Sequence, residues 1–245
     1  DTNNDGASTG VAGDWETLLL NADSDASVLE HVEIRYAGNA NHAGDGNWFR
    51  PAIQIDGSDV HLTDVFVKDS DSTAVRILSG SPVLTNVHVE RARHDAFYAN
   101  LNADVSLTNL TSAGAYGDRY VLTGGDLGFD QTWWAGGLPL ELADDVTVPA
   151  GLTLTVTPGQ VVKLRSGRYL QIHGTLNAAG TPLHPILFTS WRDDSAWGDS
   201  NSDGAGTGLS GDWETLYFTG DSDASVLEHV EIRYAGNASS AHDGN

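Results

Sequence analysis

The chain has 245 residues, of which 40% are hydrophobic, and its 34 acidic residues outnumber 12 lysines and arginines to give a formal net charge of −22. This apolar content suffices for a packed core, whereas the negative charge repels phosphate and disfavours nucleic acid and anionic membranes as partners. We therefore expect no nucleic-acid binding and no membrane insertion, and we expect divalent cations to be favoured. The lack of cysteine excludes disulfides and thiolate metal sites.

The opening of the chain returns near its end. Residues 1–47 and 199–245 lie 198 positions apart and are identical at 35 positions, including the run from Asp23 to Ala40. A repeat this faithful is typical of tandem arrays, in which each unit packs against its neighbours. We expect neighbouring repeats of the same chain to be the main partners, and side-by-side self-association stays open.

Short alternating segments recur in the first half of the chain. One series starts at Ala52, Ala74 and Ala96, and a second places Val65, Val87 and Leu110 in register. Residues 28–35 repeat the second series one coil earlier, before an insertion at 39–49. Helical periodicity is absent. Such evenly spaced strands predict an all-β fold, a right-handed parallel β-helix with coils of about 22 residues.

The same spacing predicts which side chains stack from coil to coil. Leucines and valines at matching strand positions should point inward, and their neighbours should face solvent. The predicted solvent-facing column is Glu33, Phe66, His88 and Thr111. A third column, made of His31, Asp64, Asn86 and Asn109, falls at a bend. Asx residues suit a left-handed backbone there and can pass hydrogen bonds along the stack.

From about Gly125 the pattern changes to Trp133 and Trp134 followed by closely spaced segments. These segments cover residues 138–142, 146–156, 161–164, 170–176 and 185–190. Their order resembles the opening coils of right-handed parallel β-helix modules in large secreted bacterial surface proteins, adhesin-like relatives of the pectate-lyase fold. The resemblance implies that residues 1–130 close one repeat and residues 131–245 open the next, with the two tryptophans capping a stack. An unbroken solenoid is the alternative.

One motif with metal-binding chemistry, D-x-[DN]-x-[DN]-G, occurs in both copies of the repeat. Its candidate ligands are Asp1, Asn3, Asp5 and the Ala7 carbonyl in the first copy, and Asp199, Asn201, Asp203 and the Ala205 carbonyl in the second. Alternating oxygen ligands before a glycine are typical of calcium loops. The glutamate that closes an EF-hand loop is missing, so closure falls to Asp14 in the first copy, and to Asp212 or the pair Asp193 and Asp194 in the second. A metal-free Asx turn is the alternative.

Two classes of function are compatible with a β-helix. Polysaccharide lyases and hydrolases need paired carboxylates, or calcium with a basic residue, on one face. Vicinal aspartates occur at 144–145 and 193–194, and the basic residues are scattered. We therefore expect a non-catalytic, calcium-stabilised structural or adhesive segment of an extended extracellular surface protein, with cell-surface carbohydrate as an open partner. The alternative is a β-helix that binds or degrades polysaccharide.

Overall fold

The computed structural model describes residues 8–40 and 50–237. Within these ranges the regular structure is almost all strand, with one short 3₁₀ helix at Ala22–Ser24. The described residues include no helix long and apolar enough to cross a lipid bilayer.

The strands of the first half are β1 (Leu18–Asn21), β2 (Val28–Glu30), β3 (Glu33–Arg35), β4 (Ile53–Asp56), β5 (His61–Lys68), β6 (Val75–Ser79), β7 (Val83–Glu90), β8 (Asp95–Ala99), β9 (Ser106–Thr108), β10 (Thr111–Ala113) and β11 (Gly117–Leu122). Those of the second half are β12 (Gly125–Asp126), β13 (Gln131–Trp133), β14 (Leu140–Leu142), β15 (Val146–Val148), β16 (Thr153–Val156), β17 (Val161–Leu164), β18 (Leu170–Ile172), β19 (Thr175–Ala179), β20 (Ile186–Ser190), β21 (Leu216–Phe218), β22 (Val226–Glu228) and β23 (Val230–Ile232).

Parallel pairing joins these strands into four sheets. Sheet A runs through the described structure in the order β1-β4-β6-β8-β11-β14-β17-β20-β23. Sheet B contains β2, β3, β5, β7, β9 and β10, whereas sheet C (β12-β15-β18-β21) and sheet D (β13-β16-β19-β22) belong to the second half. The chain therefore returns to the same sheet once per coil. This confirms the predicted all-β parallel solenoid, with about six turns spaced about 23 residues apart.

The coil length is read from the register of sheet A. Ile53 pairs with Val75 and Val75 pairs with Phe97, each a step of 22 residues. The first and last steps are longer, because Leu18 pairs with Ile53 and residue 188 pairs with residue 232. These two coils include the sequence insertion at 39–49 and the loop at 191–215, and the second of these lies outside the regular strands.

The predicted inward columns form the core. Leu62 and Leu84 are paired in register and fully buried, and Val65 and Val87 are likewise paired and buried. Beside them on the outer surface, Phe66 stacks on the His88 ring at 4.6 Å between centroids. Like residues lie over like residues because parallel pairing repeats the same register in each coil.

The bend column is also as predicted. His31, Asp64, Asn86 and Asn109 have φ values of 55°, 52°, 53° and 52°. The Asn86 amide donates to Asp64 Oδ1 at 2.7 Å, and the Asn109 amide donates to Asn86 Oδ1 at 2.8 Å. The side-chain ladder therefore crosses three coils and compensates for a backbone conformation that costs most side chains about 1 kcal/mol or more.

The sheets change where the sequence pattern changes. Sheet B ends at β9 and β10, and sheets C and D begin at β12 and β13, while β11 pairs directly with β14 in sheet A. Trp133 is buried in the core, whereas Trp134 is 40% exposed. The assignment of residues 1–130 and 131–245 to two repeat units stays a prediction.

Candidate metal centre

The loop between β20 and β21 lies against the outer face of sheet A. Lys163 on β17 donates from Nζ to Ser200 Oγ at 2.8 Å and to the Gly198 carbonyl at 3.3 Å. Arg119 on β11 donates from Nη1 to the Ser200 carbonyl at 2.7 Å. Ser200 and Asn201 are buried as a result. Two basic side chains on distant strands thus hold the loop in place.

Beneath this loop, charged side chains form a chain of ion pairs along sheet A. Arg119 Nη2 lies 2.7 Å from Asp95 Oδ1, and Arg165 Nε lies 2.6 Å from Glu141 Oε1. Arg119 Nε approaches Glu141 Oε2 at 2.9 Å as an ion pair that lacks hydrogen-bond alignment. Burial raises the pKa of the Glu141 carboxyl, and the charges of Arg119 and Arg165 oppose that shift.

Three carboxylates converge in the loop itself. Asp194, Asp199 and Asp203 each place one oxygen so that all three oxygens lie within 4.8 Å of one another. The turn is possible because Gly204 has a φ of 89°, which side chains rarely adopt. The Gly204 N–H also donates to Asp199 Oδ2 at 3.1 Å. The first and fifth motif positions therefore lie close together.

Asp194 supplies the third side of the cluster. Its Oδ2 accepts a hydrogen bond from the Gly206 N–H at 2.6 Å, whereas its Oδ1 is buried and has no hydrogen-bond partner. A buried carboxylate oxygen without a donor carries an uncompensated desolvation cost. A hard cation bound by the cluster would take Asp194 as one of its carboxylate ligands, since calcium takes carboxylate, amide and carbonyl oxygens. The residues present fit calcium.

Two other motif residues lie beside the cluster. Asn201 donates from Nδ2 to Asp203 Oδ2 at 3.0 Å and accepts the Asp203 N–H at 3.3 Å. Ala205 is exposed directly after Gly204. The amide of Asn201 thus orients a cluster carboxylate.

Asp193 faces away from its neighbour Asp194. It is fully buried, and its oxygens accept hydrogen bonds from Thr189 Oγ1 at 2.7 Å, Arg233 Nη1 at 3.3 Å and the Ser195 hydroxyl at 2.5 Å. Burial alone would raise the pKa of Asp193, but these hydrogen bonds outweigh it and lower the pKa below its ordinary value. Asp193 therefore anchors the loop to β20 and to the residue after β23.

Asp212 closes the far end of the loop. Its Oδ2 accepts from Ser190 Oγ at 2.6 Å and from the Leu209 N–H at 2.9 Å. Its counterpart Asp14 accepts from the Val11 N–H at 2.8 Å, so both copies close this turn in the same way. The other first-copy candidates, Asp1, Asn3, Asp5 and Ala7, lie outside the described residues.

A positive charge lies close to the carboxylates. Lys163 is fully buried. Burial lowers its pKa, and the charges of Asp194 and Asp193 oppose that shift. This contact could not be predicted directly from the sequence, because Lys163 occupies an outward strand position that would ordinarily be solvent-exposed. The signal that could have found it is the outward column of sheet A, which also contains Gln54, Arg76, Tyr98 and Glu141.

A cleft of about 270 Å³ lies farther along the same face of sheet A. Its lining includes Arg76, His94, Tyr98 and Arg165. The Arg76 guanidinium lies 5.6 Å from the centroid of the Tyr98 ring, and its buried Nε has no hydrogen-bond partner. This cleft thus places two guanidinium groups beside an aromatic ring, with the Asp95 carboxylate in its lining and Arg165 paired to Glu141.

Comparison with known proteins gives one partial similarity. No protein-family model matches the chain, and no solved structure matches it significantly. A stretch of 98 residues is 30% identical to the Drosophila melanogaster protein named Protein bark beetle. The match covers 40% of this chain and 3% of that protein. The chain thus spans a small fraction of the length of the relative that it matches.

Proposed function

We propose that the chain is a non-catalytic structural segment of an extended, repetitive extracellular surface protein, and that calcium stabilises it. The observation that carries this proposal is the convergence of Asp194, Asp199 and Asp203 in a loop whose motif recurs with the repeat. The resemblance to adhesin-like β-helix modules of bacterial surface proteins supports the same setting. Neighbouring repeats are the proposed partners.

Calcium would act on the loop through charge. The three carboxylates repel one another in a chain that already carries a net charge of −22, and Lys163 offsets only part of that repulsion. The oxygens of Asp194, Asp199 and Asp203 would hold the ion, with the Ala205 carbonyl as a further donor. A ligand that binds only the folded loop stabilises the fold by RT ln(1 + [L]/Kd), about 2.7 kcal/mol at a concentration near 100 Kd.

The non-catalytic part of the proposal is supported by the state of the aspartate pairs. Asp193 is buried in hydrogen bonds to its own fold, so its carboxylate is not available to a substrate. Asp144 and Asp145 both lie within ion-pair distance of Arg168, at 2.7 and 3.6 Å. These contacts give the aspartates structural partners, and the cleft that Asp144 and Asp145 line together with Asp126 is where the enzyme alternative would place its acid and base.

The test is thermal unfolding of the whole chain in EDTA and in increasing calcium. We expect calcium to raise the Tm of the wild type, and Asp203→Asn to remove most of that increase. The matched control is Asp104→Asn, an exposed aspartate remote from the loop, which should keep the full calcium response. If EDTA leaves the Tm unchanged and Asp203→Asn responds like the wild type, the calcium proposal is wrong.

A second candidate, polysaccharide binding, is favoured by the cleft at Arg76 and Tyr98. Aromatic rings stack on sugars, and a guanidinium pairs with the carboxylate of an acidic sugar. Calorimetry with a soluble polyuronate tests it, with Arg76→Ala and Tyr98→Ala as variants and Lys68→Ala, on sheet B, as control. Binding that both cleft variants weaken would support this candidate, and cleavage of the polymer would support the enzyme alternative. If the wild type shows no detectable binding, the polysaccharide-binding candidate is wrong.

A further inference from the structure

The two copies of the repeated segment occur in different surroundings. In the first copy, β1 pairs with β4, and β2 and β3 pair with β5, all on the side of the following coil. In the second copy, the equivalent strands β21, β22 and β23 pair with β18, β19 and β20, on the side of the preceding coil. Each copy therefore has the neighbour that the other lacks.

Exposure of equivalent side chains reflects this difference. Trp15 and Trp213 make the same hydrogen bond from Nε1 to a carbonyl, at 2.8 and 2.7 Å, but Trp15 is 41% exposed and Trp213 is fully buried. Conversely, Ile34 is 6% exposed and Ile232 is 45% exposed. The preceding coil covers the tryptophan, and the following coil covers the isoleucine.

We infer that the exposed edge of β21, β22 and β23 is a docking surface for a further copy of this sequence. In the resulting array, each strand lies on the next side of a three-sided coil relative to its equivalent in the preceding copy, a rotation of one third of a coil per repeat. The inference rests on the proposed tandem array. The occupant is the segment equivalent to β4 and β5, because the first copy already carries that segment on the same edge.

The side chains at this surface match the proposed occupant. Phe218 lies over Ile172 of β18, and its equivalent Leu20 lies under Ile55 of β4. The same inward column would thus continue from Ile172 through Phe218 to the next Ile55, apolar throughout. Ile232 lies over residue 188 and would in turn be covered as Ile34 is covered by residue 67. Docking would remove the apolar surface of Phe218 and Ile232 from water.

The rotation of one third of a coil per repeat follows from the sheets that equivalent strands join. β1 belongs to sheet A, but its copy β21 belongs to sheet C, and β23 belongs to sheet A, but its counterpart β3 belongs to sheet B. Sheet B spans two sides of the coil, because β5 and β7 each bend at a left-handed residue, Asp64 or Asn86. In an array, sheet C would therefore continue as the next sheet A, and sheet A as the next sheet B.

A repeat that is not a whole number of coils explains this shift. After each repeat the chain has advanced one side of a three-sided coil beyond the starting side. Loops like that of Asp194, Asp199 and Asp203 would then project from three sides in succession and return to the same side with every third repeat. Equivalent surfaces would be presented all around the array instead of along one stripe.

The experiment uses disulfide mapping, since the chain has no native cysteine. Gln171 pairs with Tyr217 in sheet C, and Leu19 pairs with Gln54 in sheet A, so Cys pairs at either couple should crosslink in the present chain. Neighbouring parallel strands place paired Cα atoms about 4.8 Å apart, within reach of a disulfide. Far-UV circular dichroism checks that each variant folds.

A longer chain, residues 1–198 followed by residues 1–245, tests the rotation itself. Leu19→Cys of the second unit should crosslink with Gln171→Cys of the first unit, and separately with Gln54→Cys of the second. Crosslinking with Thr189→Cys of the first unit, the sheet A neighbour expected without a rotation, would overturn the inference. Spin labels at the same positions measure the same distances if a disulfide forms slowly, so a long Gln171 distance also overturns it. Calcium binding is measured separately and can fail or hold independently.

Discussion

Asp193 and Asp194 are adjacent in the chain but have different roles in the structure. Asp193 is enclosed by donors from β20 and from Arg233, whereas Asp194 joins the carboxylate cluster of Asp199 and Asp203 and has one buried oxygen without a hydrogen-bond partner. The sequence predicted both as candidate ligands. It could not separate them, because the donors to Asp193 include a residue 40 positions away that only the stacked coils bring near.

Because the pKa of Asp193 is lowered in the folded chain, the free energy of unfolding depends on pH. As the pH falls, the unfolded chain takes up a proton at this position before the folded chain does, so the stability from the ionised carboxylate is complete above about pH 4 and is lost below it. We expect Asp193→Asn to lower the free energy of unfolding by about 1–3 kcal/mol at neutral pH. Urea unfolding between pH 7 and pH 3 should show the gap to the wild type closing. A gap of constant size in Asp193→Asn would contradict the prediction.

The bend column of sheet B allows the cost of a left-handed backbone residue within a strand to be measured. Asn86→Ala loses the hydrogen bonds to Asp64 and Asn109 and places a Cβ at a φ of 53°. Asn86→Gly loses the same bonds but fits this backbone. We expect Asn86→Ala to cost about 1–2 kcal/mol more than Asn86→Gly. Chemical denaturation measures both, and equal costs would show that the hydrogen bonds alone matter.

The anchoring of the loop between β20 and β21 on sheet A depends on Arg119. Arg119→Ala removes its bonds to Asp95, Glu141 and the Ser200 carbonyl, and leaves a buried carboxylate short of a partner. Breaking a buried ion pair costs about 3–5 kcal/mol. Arg93→Ala, which removes the exposed pair with Asp71, should cost less than about 1 kcal/mol. Similar losses in the two variants, measured by urea unfolding, would count against the buried network as an anchor.

The strands were predictable from the sequence, whereas the loop contacts were not. Strand positions such as Val65 and Val87 repeat at the coil length, so the sequence period and the structural register are the same quantity. The contact of Arg119 with Ser200 spans 81 positions and has no period. The motif therefore predicted the meeting of Asp199 and Asp203, but it could not predict that Lys163 and Arg119 would lie beneath them.

At the scale of the molecule, the two copies of the repeat allow the same substitution to be compared at a buried position and at its exposed equivalent. Ile34→Ala removes a buried side chain and should cost about 2–5 kcal/mol, whereas Ile232→Ala at a half-exposed edge should cost clearly less. In a chain extended by a further repeat, the cost at Ile232 should rise toward that at Ile34, because the next coil would cover it. Thermal and urea unfolding compare these costs, each variant being measured against the unsubstituted chain of the same length. An unchanged cost at Ile232 would mean that no coil packs there.

The reach of Arg119 to the Ser200 carbonyl also bears on how the molecule responds to stretching. Hydrogen bonds between parallel strands join one coil to the next. Tension along the stack therefore acts on every group of inter-coil hydrogen bonds, and coils detach one at a time from a free end. The contact between Arg119 and Ser200 bridges β11 to the loop after β20, past β14 and β17. This hydrogen bond crosslinks the coils between β11 and β20, because it must break before those coils can separate. The second half of the chain should therefore yield to force as one block, while the coils of the first half come apart singly.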